Sequence, residues 1–133
     1  MTQNAHCTYE LIDGTIHHFT LVKADQQAMD EFLPHMAQIF DDTPSDSLIY
    51  LLVDFRPDGI PPLRYAVNGM REMIKARDGE PAEIRAAYLH EPNLLVSLVT
   101  TFLDRLRLKS KRKLFSGEHA EAEALAWLKE GQN

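Results

Sequence analysis

The sequence predicts an α/β protein with a mixed, mostly parallel sheet, an N-terminal hairpin and four helices, in the order ββαβαβαβα. Three observations carry this prediction. Two short stretches of alternating apolar and polar residues flank Asp13-Gly14, a strong hairpin signal. The run from Leu48 to Val53 is almost wholly apolar and ends in Asp54, the pattern of a strand covered on both faces. Between the strands, apolar residues recur at three- and four-residue spacing, which places them on one helical face. Strands that alternate with helices imply right-handed crossovers and parallel pairing.

The elements follow in order. Residues 7 to 23 read as two strands, with Tyr9 and Leu11 before the turn and Ile16, Phe19, Leu21 and Val22 after it. Residues 25 to 41 carry Met29, Phe32, Leu33, Met36, Ile39 and Phe40 on one face, after a cap signal at Asp25. Pro34 interrupts that pattern. It either kinks the helix or lies in the first turn of a shorter one capped by Asp30.

A polar loop over 41–46 leads to the central strand, Leu48 to Phe55. Arg56 to Gly59 forms a turn, and Pro61-Pro62 opens a second helix with Leu63, Ala66, Val67, Met70, Met73 and Ile74 as its stripe. Gly79 ends that helix, and Glu83 to His90 is the next strand. Pro92 begins a third helix, whose stripe of Leu95, Leu98, Val99, Phe102 and Leu106 is broadened by Val96 and Leu103. Arg112 to Ser116 is the last strand. A final helix runs from about Glu118 to Lys129, with Ser116 as cap and Ala122, Leu125, Ala126 and Leu128 as stripe. No repeat or linker breaks the pattern, and 133 residues suit one domain spanning 1–133.

Composition narrows the function classes. Cys7 is the only cysteine, which rules out an intramolecular disulfide and a thiolate metal cage. Residues 1–6 lack the features of a signal peptide, and no apolar run approaches the roughly 20 residues of a membrane-spanning helix. A cytoplasmic protein without an integral membrane segment is expected. A net charge of -6 argues against nucleic-acid binding. Arg105, Arg107, Lys109, Lys111, Arg112 and Lys113 form a basic block that could meet an anionic partner. The plainer reading places it at a helix C-terminus, where cations suit the dipole, and in an exposed turn.

The chain ends with Arg112-Lys113-Leu114-Phe115-Ser116, followed by Glu121-Ala122-Glu123-Ala124-Leu125-Ala126-Trp127-Leu128. With the central Leu51-Leu52-Val53-Asp54-Phe55 and the element order, these stretches resemble the SpoIIAA-like branch of the STAS domain superfamily. The resemblance covers about residues 8 to 130, and coarsely it extends to lipid-binding CRAL-TRIO domains. It implies a regulatory serine where the helix after the central strand begins. That place holds Pro61-Pro62-Leu63, and no Ser or Thr occurs between Leu48 and Val96. Regulation through a phosphorylated serine is therefore not expected.

In an open parallel sheet, ligands favour the rim at the strands' C-terminal ends. Asp54, Arg56, His90, Asn93 and Ser116 are the candidate ligand-binding residues there, beside Asp58, Glu91 and His119. An acid, a base and a cation in one place make proton transfer conceivable, and Asp54 with His90 would be its pair. The plainer reading is that they are caps and loop residues. His17 and His18 are neighbours on a strand and point to opposite faces, so they cannot share a metal. No catalytic set, metal site or cofactor is expected.

Leu95, Val99, Phe102 and Leu103 on the third helix are candidates for an apolar pocket or an interface. The expected function is a non-catalytic binding or regulatory module that acts as a homodimer through an unknown protein or a small apolar ligand. Two alternatives stand beside it. One is a carrier of a lipid or other apolar molecule, lined by Met29, Met36, Leu95, Val99 and Phe102. The other is an enzyme using Asp54 and His90.

Overall fold

The computed structural model describes residues 5–77, 79–92, 100–101, 104–105 and 109–132. Five strands form one sheet: β1 (Cys7–Ile12), β2 (Ile16–Leu21), β3 (Leu48–Asp54), β4 (Glu83–Leu89) and β5 (Ser110–Phe115). They lie in sequence order across the sheet, with β3 at its centre. β1 and β2 are antiparallel, and every later pair is parallel. The hairpin turns at Asp13 and Gly14, which take φ values of 52° and 71°. That left-handed backbone is what an Asp-Gly pair accommodates at low cost.

Among the described residues there are three helices: α1 (Gln26–Asp42), α2 (Leu63–Lys75) and α3 (Ala120–Glu130). The third helix expected from sequence, over 92–106, lies mostly outside the described residues, and Asn93, Leu95, Val99, Phe102 and Leu103 lie outside them altogether.

The sheet carries a separate core on each face. On one side Phe19, Leu21, Ile49, Leu51, Val53, Ile84 and Ala86 meet Met29, Met36, Ile39 and Phe40 of α1 and Met70 and Met73 of α2. On the other, Ile16, Leu52, Ala87, Leu89 and Phe115 meet Ala120, Ala124 and Leu128 of α3. β3 supplies both cores, which explains its unbroken apolar run.

Several boundaries differ from the sequence reading. The Asp25 carboxylate accepts the Ala28 N–H at 2.9 Å and caps α1, so Asp30 does not. Pro34 falls inside α1 on its exposed side, where its ring faces solvent. α2 ends at Lys75, and Gly79 lies in the following loop, with φ 80°. β5 starts at Ser110 rather than Arg112, so Lys111 joins Arg112 and Lys113 in an edge strand instead of lying in an exposed turn. Charged side chains suit an unpaired edge because they discourage further strand pairing.

The last helix also shifts. It starts at Ala120, with His119 at the cap position and no side-chain cap hydrogen bond from Ser116. Ala120, Ala124 and Leu128 are buried, whereas Ala122 and Ala126 are exposed. The buried stripe is narrow because small alanines let α3 lie close on β4 and β5, and a helix so placed needs only one i, i+4 row.

Candidate functional site

At the C-terminal rim the structure joins Asp54 and Arg56. Both follow from chain direction: β3 ends at Asp54, and the turn brings Arg56 back over the same face. Arg56 Nε donates to Asp54 Oδ1 at 2.9 Å, a terminal nitrogen donates to Oδ2 at 2.8 Å, and the Arg56 backbone N–H adds a third bond to Oδ1 at 2.9 Å. The same terminal nitrogen reaches Glu121 of α3 at 3.2 Å. The Asp54 hydrogen bonds, with help from Glu121, raise the Arg56 pKa above its ordinary value. Asp54 is only 6% exposed, so this fork satisfies a buried carboxylate.

His90 is equally buried but separately engaged. Its Nδ1 lies 2.7 Å from the Glu91 carbonyl, which can only accept, so that nitrogen carries the proton. Its backbone N–H donates to the Phe115 carbonyl at 3.0 Å. Asp54 is level with Leu89 in the sheet, so His90 sits one residue further on, and strand alternation turns it to the opposite face. Asp58 accepts the Ala24 N–H at 2.7 Å and holds a loop. Ser116 and His119 are exposed. Asp54, Arg56, Asp58 and His90 are thus occupied in tying strands, loops and α3 together.

Two pockets lie away from the rim: a roomier one of about 370 Å³, lined by Phe40, Asp41, Thr43, Arg77 and Glu80 among others, and a smaller apolar one. The smaller, a cavity of about 110 Å³, lies between the sheet and the α1–α2 pair. Met29, Phe32 and Met36 line it from α1, and Leu63, Ala66, Val67 and Met70 from α2. Leu51, Val53, Phe55, Ile84 and Ala86 form its floor, and buried Pro61 closes one side. The small Ala86 side chain leaves room that a larger residue would fill. Among the described lining residues, the polar groups are Tyr88 of β4 and Ser110 and Arg112 of β5.

Burial pushes the Tyr88 phenol up to about 12, while the Arg112 charge pulls it down in part. The phenol is therefore a neutral donor near a cation. No family model, curated protein or solved structure matches the chain. The reading of this site rests on its own geometry.

Other chemistry-bearing residues are committed locally. His17 bonds Tyr9 on one face of the sheet and His18 bonds Glu10 on the other, at 2.8 and 3.0 Å. Among the described residues no group of three or more His, Cys, Asp or Glu could hold a metal ion. Nor is any helix among them long and apolar enough to cross a membrane. Burial, together with the nearby Glu31 carboxylate, pushes the Cys7 thiol up to about 12, which removes its nucleophilic form at neutral pH.

Met29 and Met36 do line a cavity, as the carrier reading expects, but its described far wall is α2 and not the third helix. Sequence reasoning missed Tyr88, Ser110 and Arg112. Their signal was present: in a half-covered edge strand, every second residue of Ser110-Lys111-Arg112-Lys113 faces the core side. Reading Arg112 as the strand's first residue hid it.

Proposed function

We propose that this chain is a non-catalytic SpoIIAA-like, STAS-like module that binds a small apolar molecule in the cavity under α1 and α2. The single observation that carries the reading is that cavity, apolar over nearly all its described lining and polar on the β4–β5 side. Such a combination is the usual form of a small-molecule site. The resemblance in sequence supports a binding role without phosphorylation. Where that family places its switch serine, this chain has Pro61, which lines the cavity, and Pro62, which precedes α2.

Size defines the ligand. A cavity of roughly 150 Å³ in an engineered protein takes benzene. One of about 110 Å³ takes a single ring or a short branched chain, with any further part projecting outward. A long acyl chain would lie mostly outside this space, which favours a smaller apolar ligand over a lipid. The enzyme alternative is disfavoured as well, since both Asp54 oxygens are held by Arg56 and His90 turns to the other face.

Titration with toluene, followed by amide NMR, tests the reading. Shifts centred on Met36, Val67, Ala86 and Tyr88 are expected, and they should vanish in Ala86→Leu, which fills the floor. A saturating titration that leaves those amides unmoved would refute it.

A further inference from the structure

We infer that the cavity selects a small monocarboxylate, its apolar part among the methionines and its carboxylate on Arg112. The inference rests on the ligand-binding reading above and adds the chemical class.

The polar side is built from two adjacent strands. In the register of β4 and β5, Ile84 is level with Ser110 and Ala86 with Arg112. Tyr88 lies two residues beyond Ala86 on the same face, its ring stacked on Phe55 with centroids 5.6 Å apart and planes 10° from parallel. Among the described residues one cation and two hydroxyls thus line the β4–β5 side of an apolar space. Lys111 and Lys113 alternate to the other face, where Lys113 lies over the Phe115 ring at 5.4 Å. A single guanidinium matches a single negative charge and leaves the second charge of a phosphate monoester unmatched.

A carboxylate already occupies this guanidinium. Arg112 pairs with Asp104, whose side chain is 61% exposed. An arginine offers five N–H donors in a planar fork suited to carboxylates. A ligand carboxylate would share or replace the Asp104 contact while its ring fills the space beside Ala86. The aspartate, being exposed, loses little by returning to water.

The experiment compares benzoate, benzamide and toluene by amide NMR titration of the whole chain. Benzoate should bind about tenfold more tightly than benzamide, the difference expected for hydrogen bonds to a charged partner. Arg112→Gln should erase that preference while leaving toluene binding intact. Asp104→Asn should strengthen benzoate binding by removing a competitor, and it keeps the inference testable if Arg112→Gln fails to fold. If toluene binds but benzoate shows no advantage over benzamide, the carboxylate inference is overturned and the cavity reading stands. If toluene fails to bind, the cavity reading falls, and this inference with it.

Discussion

The Arg56 guanidinium forks onto the Asp54 carboxylate through two bonds, 2.9 and 2.8 Å long, at a point where Asp54 is 6% exposed and a third of the Arg56 side chain is open to water. The pair closes the C-terminal end of the central strand and reaches α3 through Glu121.

Removing Arg56 would leave a buried carboxylate without its charged partner. Arg56→Ala should cost about 2 kcal/mol of stability, below the usual value for a fully buried pair because Arg56 is partly solvated. Glu121→Ala should cost less than about 1 kcal/mol, since that contact is exposed. Urea denaturation midpoints measure both. Equal losses would show that the burial of Asp54 does not set the cost.

Stability should fall in mild acid through His17. Burial, and then the nearby His35, hold its pKa below the ordinary 6.5. The unfolded chain therefore binds a proton that the folded chain refuses as pH drops below about 6.5. The loss begins there and continues down to the lowered folded value, while above 6.5 the imidazole is neutral in both states and contributes no pH dependence. Denaturation of the wild type and His17→Gln at pH 7.5 and 5.5 tests this. A variant with the same pH dependence as the wild type would exclude His17 as the source.

Cys7 should resist thiol reagents in the folded state. With its pKa pushed up to about 12, almost no thiolate exists at pH 8. Labelling by an aromatic disulfide should be at least about tenfold slower than in denaturant. Equal rates would mean that the thiol is neither buried nor suppressed.

Gly69 permits the close approach of α1 and α2 that roofs the cavity. A Cβ at this position would overlap Leu33 Cδ1. Gly69→Ala gains roughly 1 kcal/mol of helix propensity but forces Leu33 aside, an overpacking cost of about 1–3 kcal/mol. A net loss of about 1 kcal/mol is expected. Leu33→Ala combined with Gly69→Ala should lose less than the sum of the single losses, as scored in a double-mutant cycle. Strict additivity would count against the contact.

Much of the fold was legible because it is written in local periodicity. Asp13-Gly14 demanded a left-handed turn, the run Leu48–Val53 demanded cover on two faces, and Met29, Met36, Ile39 and Phe40 shared one side of a helix before any packing was known. The site was less legible. Asp54 and Arg56 were visible as rim residues at a strand end, but the sequence reading paired Asp54 with His90, and Glu121, which Arg56 also reaches, lies 65 residues further on. Arg112 looked like one member of a basic block, because its alternation with Lys111 and Lys113 shows only once β5 is known to start at Ser110.

By itself the sequence determined the types of the described elements, the hairpin, the central strand and the absence of a serine or threonine where α2 begins. These depend on side-chain spacing and on which residues tolerate a given backbone. Tertiary structure alone decided the phase of α3, the register that sets Arg112 beside Ala86 and Tyr88 nearby, and the space left between the sheet and the two helices above it. Such features arise from how far apart packed elements stand, and that distance is set by pairs of side chains remote in sequence, such as Leu33 against Gly69.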